Sequence, residues 1–176
     1  NGARTTFDYD SRDRLVQEVG FEGRTQRNRF DAAGQLIEQW DGIPGQGQCI
    51  ASRYLYDKAG RLQLRLVRAQ PSHPVEGQGQ NQNQNQSQER IDSELIEVLS
   101  FEHDNGGALK EASHWQLQPL IPGELLKLLQ EEDPAQPLQP RPTPGSDWFA
   151  LSPGQLQRLW QASQGQHWLQ LQSRAS

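Results

Sequence analysis

The sequence predicts a mainly β protein: repeated β-hairpins forming a curved antiparallel sheet, with one or two short α-helices in the C-terminal third. Three observations carry this. A seven-residue pattern, ring-Asp-x-x-Gly-x-Leu, recurs four times. The apolar residues around it alternate with a period of two, as on half-buried strands. Helical spacing of apolar residues is confined to the far end of the chain. Of the 176 residues only 33% are hydrophobic, against roughly 45–50% in an average domain on a slightly wider residue set. Mean hydropathy is −0.88. A large enzyme core is therefore not expected, and part of the chain is expected not to pack.

The first copy runs Tyr9-Asp10-Ser11-Arg12-Asp13-Arg14-Leu15 and the second Phe30-Asp31-Ala32-Ala33-Gly34-Gln35-Leu36. The third is Tyr56-Asp57-Lys58-Ala59-Gly60-Arg61-Leu62, and the fourth His103-Asp104-Asn105-Gly106-Gly107-Ala108-Leu109. The anchor aspartates are 21, 26 and 47 residues apart. An Asp that opens a turn accepts hydrogen bonds from backbone N–H groups two or three residues on. A Gly three residues later supplies the left-handed conformation that closes a type I turn with a bulge. The repeat-turn residues are therefore Asp10, Asp31, Gly34, Asp57, Gly60, Asp104 and Gly107. Asp13, in the glycine position of the first copy, tolerates that conformation better than most residues. Repeat packing falls to Tyr9, Leu15, Phe30, Leu36, Tyr56, Leu62 and Leu109, with His103 replacing a ring.

Rings two apart precede three of the turns: Phe7 and Tyr9, Tyr54 and Tyr56, Phe101 and His103. After the turns come Leu15 and Val19, Leu36 and Trp40, and Leu62, Leu64 and Leu66, interrupted at Gln17 and Glu38. Each unit reads as a hairpin with one apolar and one polar face. One hairpin is marginal in water, so successive hairpins are expected to pair edge to edge. Gly2 and Gly23 each lie eight residues before an anchor, and the chain has no methionine. The expectation is a piece excised from a longer polypeptide.

The organisation follows: hairpins one to three over 1–69, a Gln/Asn-rich linker or insertion over 70–93, a fourth hairpin over 94–116, and a helical, Pro-rich region over 117–176. The tract Asn81-Gln82-Asn83-Gln84-Asn85-Gln86 cannot bury enough apolar surface to offset ordering. The 47-residue gap has two readings, a repeat replaced by the linker or an insertion between neighbouring hairpins. Beyond it, Pro122-Gly123-Glu124 opens a helix with Leu125, Leu126, Leu128 and Leu129 on one face. Pro134 to Pro144 should be extended. A second helix has Ser152 as N-cap, Pro153 at its first position, Leu156, Leu159 and Trp160 on one face, and Gly165 to stop it. His167 to Leu171 reads as a last strand. Residues 1–70 carry a net charge of +2 and residues 71–176 of −7, neither a nucleic-acid footprint.

Phe30–Leu36 and Arg53-Tyr54-Leu55-Tyr56-Asp57-Lys58-Ala59-Gly60-Arg61-Leu62 resemble the YD-repeat of the Rhs family. Bacterial Rhs proteins, insecticidal toxin-complex proteins and animal teneurins share that repeat. The resemblance is specific over residues 1–68, weaker over 99–115, and absent from 70–93 and 117–176. It implies a long β-sheet wound into a hollow shell, which in the bacterial proteins encloses a C-terminal toxic domain. The Asp-Pro-x-Gly-rich motif that ends such shells is missing, as is a recognisable toxin domain. The expected function is a non-enzymatic wall segment of an Rhs-type toxin shell, secreted or at the bacterial cell surface as part of a larger protein. Its partners would be the rest of the parent polypeptide and its C-terminal effector. The alternative is a cell-surface YD-repeat module binding carbohydrate or a protein, with Trp40, Trp115, Trp148, Trp160 and Trp168 as candidate stacking rings.

No catalytic constellation competes. Asp8, Asp10 and Asp13 form D-x-D-x-x-D without the central Gly and later Glu of a calcium loop, so turn capping is the better account of Asp10. His73, His103, His114 and His167 lack paired metal-ligand spacing. Cys49 has no matched base and reads as a small strand residue. No phosphate loop or nucleophile elbow occurs. The expectation is no enzyme, no cofactor and no metal. No apolar run approaches the roughly 18–20 residues of a membrane-spanning helix, and no signal-peptide pattern is present.

Overall fold

The computed structural model describes residues 2–71, 95–118, 121–130, 148–164, 166 and 169–176. The strands are β1 (Thr6–Tyr9), β2 (Leu15–Val19), β3 (Thr25–Phe30), β4 (Leu36–Ile43), β5 (Gln46–Tyr56), β6 (Leu62–Pro71), β7 (Ile96–His103), β8 (Leu109–Leu117) and β9 (Leu169–Ala175). Helices α1 (Gly123–Gln130) and α2 (Pro153–Ser163) and a short 3-10 turn (Trp148–Ala150) lie between β8 and β9 in the chain. The strands form a single open, uncurled antiparallel sheet in chain order, β1 to β9. The mainly β class and the edge-to-edge pairing of hairpins are thus observed. Strand β6 pairs directly with β7, Leu64 opposite Ser100 and Leu66 opposite Val98. The 47-residue gap is therefore an insertion between neighbouring strands. The Gln/Asn tract, Pro134 to Pro144, Gly165, His167 and Trp168 fall outside the described residues.

All four Asp turns have the geometry their spacing predicts. In each, the Asp N–H donates to the carbonyl four residues on, and the closing residue donates back to the Asp carbonyl, at 2.9–3.1 Å. The closing residues hold positive φ: Asp13 58°, Gly34 84°, Gly60 78° and Gly107 87°. A further bulge follows every turn. The register skips Val16, Ile37, Gln63 and Lys110, each six positions after its aspartate. This sets ring and leucine directly opposite: Tyr9 with Leu15, Phe30 with Leu36, Tyr56 with Leu62, His103 with Leu109. A bulge also adds local twist.

Two turns join hairpins at the other border. Gly20-Phe21-Glu22-Gly23 repeats the geometry with glycine in place of Asp, and Gly23 has φ 83°. That is the role of the Gly23 mark. Pro44-Gly45 links β4 to β5, with Gly45 at φ 76°, the pairing a type II turn favours.

The core lies on one face of β5–β9. Register places Leu55 opposite Leu64, Leu66 opposite Val98, Val98 opposite Trp115, and Leu117 opposite Leu169. Leu125 and Leu126 of α1, Leu156, Leu159 and Trp160 of α2, and Trp148 and Leu151 cover them. Trp160 meets Trp115 edge-on, ring centres 5.8 Å apart. Helix α2 starts as read: Ser152 accepts from the Gln155 N–H, and the Gln155 side chain accepts from the Ser152 N–H. In α1 the buried stripe is narrower than expected, because Leu128 is exposed.

Candidate functional site

The Asp turns form a row along one border of the sheet, built by their carboxylates. Asp10 Oδ1 accepts the N–H groups of Arg12 (2.8 Å) and Arg14 (3.1 Å), and Oδ2 accepts Arg14 Nε (2.7 Å). Asp57 does the same with Ala59, Arg61 and Arg61 Nε at 2.8–2.9 Å. Asp31 and Asp104 each accept one N–H, from Gln35 at 2.8 Å and Ala108 at 2.9 Å. At Asp57 the Arg61 N–H is the largest influence; with the guanidinium and the Ala59 N–H it outweighs partial desolvation and holds the carboxyl below its usual range. At Asp10 desolvation pushes upward, and the Arg14 and Arg12 donors together overcome it. Asp10 is thus occupied as a turn cap, while Asp8 accepts from Gln17 Nε2 at 3.0 Å.

In the first three turns the residue four after the aspartate also reaches the next turn. Arg14 Nη1 donates to the Asp31 carbonyl (3.2 Å), and its guanidinium stands 4.8 Å over Phe30. Arg61 Nη1 donates to the Asp104 carbonyl at 3.3 Å. A Cβ on Gly34, Gly60 or Gly107 would lie 3.9, 3.2 or 3.6 Å from Arg14, Gln35 or Arg61 respectively. The closing glycine of one turn therefore sits beneath the fourth-position side chain of the turn before. Tyr56 adds another rung, donating to the Leu36 carbonyl at 2.8 Å. Burial, with Tyr54 and Asp31 nearby, raises the Tyr56 hydroxyl above its ordinary value. Sequence reading missed this ladder; the recurring Gly-Arg or Gly-Gln was its signal.

Beside the ladder the packing residues are placed unevenly. Leu15, Phe30, Leu36, Tyr56, Leu62 and His103 are half-buried. Tyr9, on the edge strand, is 59% exposed, and Leu109, beyond the reach of β9, is 57% exposed. Each lacks a neighbour on one side.

Across β1–β4 the face continuous with the core carries polar rows. Asp8, Gln17, Arg27 and Trp40 link in series: Arg27 Nε donates to Gln17 Oε1 at 3.0 Å, and its guanidinium lies 5.5 Å from the Trp40 ring centre. In the next row Arg29 pairs with Glu38 at 2.7 Å, and Arg53 Nε lies 3.6 Å from the same carboxylate. Arg53 is only 3% exposed. Its Nη1 donates to the carbonyls of Trp148, Phe149 and Leu151. Between these rows and Phe149 opens a pocket of about 290 Å³.

Trp115, Trp148 and Trp160 are core residues, and Trp40 lines the pocket. Cys49 is buried in β5, where a Cβ on Gly42 would come within 2.6 Å of its own Cβ. This is the small strand position the sequence suggested. Among the described residues no three His, Cys, Asp or Glu side chains converge, and no helix is long and apolar enough to cross a membrane.

No protein-family model and no curated protein matches the chain. The YD-repeat resemblance therefore rests on the hairpin residues alone.

Proposed function

We propose that the chain is a non-enzymatic wall segment of an Rhs-type toxin shell that encloses or presents a C-terminal effector. One observation supports the reading: Arg14 and Arg61, four residues after their aspartates, hydrogen-bond the following Asp turn, and Gln35 in the same position lies against Gly60 of its following turn. Such a device adds hairpins in series without limit, because each unit contacts only its neighbours. The β1 edge fits a longer wall. Strand β1 is exposed along its length, with Phe7 and Tyr9 uncovered, and a solitary exposed edge is an aggregation liability. On this reading the parent polypeptide is secreted or held at the bacterial surface, and further hairpins cover β1.

The test is limited proteolysis of the parent polypeptide, following its C-terminal segment by mass spectrometry. Survival of that segment only while the repeats are folded is the expected result. Equal digestion in native and denatured protein would remove the enclosing role. The other reading, a carbohydrate-binding surface, has less support, because three of the five tryptophans are buried in the core.

A further inference from the structure

The fourth Asp turn, Asp104-Asn105-Gly106-Gly107, differs from the other three in its central dipeptide. Where they have Ser11-Arg12, Ala32-Ala33 and Lys58-Ala59, it has Asn105-Gly106. Its backbone frame is the same: the Gly107 N–H donates to the Asp104 carbonyl at 3.0 Å, and Asp104 Oδ1 accepts the Ala108 N–H at 2.9 Å. In the first and third turns the aspartate also holds the N–H two residues on, that of Arg12 at 2.8 Å and that of Ala59 at 2.9 Å. The fourth turn does not repeat this cap. Among the described residues nothing accepts from the Gly106 N–H, and nothing hydrogen-bonds the Asn105 side-chain amide. Both residues are exposed, and Gly106 has no side chain to shield its nitrogen.

We propose that Asn105 is a site of spontaneous deamidation. The Gly106 nitrogen loses its proton to solvent base and attacks Asn105 Cγ. The bond from Cγ to the side-chain nitrogen breaks, and ammonia leaves with a proton taken from solvent. The resulting five-membered succinimide takes up one water. Breaking the Gly106 nitrogen's bond to Cγ gives aspartate; breaking its bond to the main-chain carbonyl carbon gives isoaspartate, with the backbone routed through Cβ. In sum one water is consumed and one ammonia released, with no oxidant, cofactor or enzyme. Asn28 shows the opposite arrangement. Its Nδ2 donates to the Leu15 carbonyl and its Oδ1 accepts from Gln39, both at 3.1 Å, and the next residue, Arg29, is paired with Glu38 in the sheet. The proposal is independent of the wall reading and is tested on the chain itself.

The experiment is incubation of the chain in mildly alkaline and mildly acidic buffer, followed by peptide mapping. Trypsin places Asn105 in the fragment 91–110, which has no other asparagine, and leaves the second Asn-Gly pair, Asn1-Gly2, in another fragment. A glutamate-specific digest places Asn28 in the fragment 23–38. Fragment 91–110 should divide into aspartyl and isoaspartyl forms, the latter methylated by an isoaspartyl methyltransferase, and faster at the higher pH. Fragment 23–38 should stay intact over the same time. Gly106→Ala copies Ala33 and Ala59 at the same turn position, so it should keep the turn. It should slow the conversion about tenfold, a barrier higher by about 1.4 kcal/mol. An unchanged fragment 91–110, conversion of Asn28 as fast as that of Asn105, or a Gly106→Ala chain that reacts as fast as wild type would overturn the site.

Discussion

Strands β1–β4 and β5–β9 follow the same plan. Both have an Asp turn at one border, a bulge six residues after each aspartate, and antiparallel register throughout. Their fillings are opposite. In β5–β9 one face holds Leu55, Leu64, Leu66, Val98, Trp115 and Leu117 beneath two helices. In β1–β4 the described hydrophobic side chains are at most half-buried, and the strands are joined by Asp8–Gln17–Arg27 and Arg29–Glu38 contacts. The hairpin geometry therefore does not depend on a core. Turn chemistry sets the register, and the core supplies the larger share of the stability. Arg53 stands at the junction, with Glu38 on one side and the carbonyls before α2 on the other.

The comparison breaks most visibly at the core. Leu64→Ala should cost about 2–5 kcal/mol, as for other fully buried leucines. Leu36→Ala, at a half-buried position of β4, should cost clearly less in the same urea titration. Similar midpoints for the two would remove the distinction between the halves. Arg53→Met tests the junction. Each buried carbonyl left without its donor costs about 1–3 kcal/mol, and the near-ultraviolet signal of Trp148 should loosen with it. Retention of wild-type stability would mean that the strap before α2 holds itself.

A smaller effect sharpens the turn account. Gly60→Ala forces an L-residue to φ 78° and should cost about 1–2 kcal/mol. Gly60→Asn should cost less, because Asn tolerates that region, as Asp13 does in the first turn. Equal thermal midpoints for the two variants would argue against conformational strain as the cause. The smallest effect is with pH. The Asp10 and Asp57 carboxyls lie below the ordinary 3.8 in the folded chain. Their contribution is therefore fully present above 3.8 and is lost as pH falls through the lowered native values. Asp57→Asn should flatten that acid limb of the melting temperature and leave the neutral region parallel to wild type.

Much of the plan was legible in the residues. Asp and Gly three apart specify a turn by themselves, and Ser152-Pro153 specifies a helix start, because both act through their own backbone. The bulges at Val16, Ile37, Gln63 and Lys110 were not legible, since no residue type marks them. The ladder was half-legible: Arg14, Gln35 and Arg61 share a position, but only the pairing of hairpins shows that they reach the following turn. The arginine pocket was hidden for the same reason. Arg27, Arg53 and Arg68 are distant in sequence and meet through strand register and the return of Phe149. Helix α1 was read too broadly, because spacing gave Leu128 a place on a face that the sheet does not cover.

Amide hydrogen exchange on the intact chain, followed strand by strand in wild type and Arg14→Ala, tests the central claim most directly. The account predicts slowest exchange in β5–β8 and fastest in β1 and β2. It predicts that Arg14→Ala speeds exchange in β1–β3 and leaves β6–β8 unchanged. Equal protection along all nine described strands, or an Arg14→Ala effect spread evenly over the sheet, would contradict it.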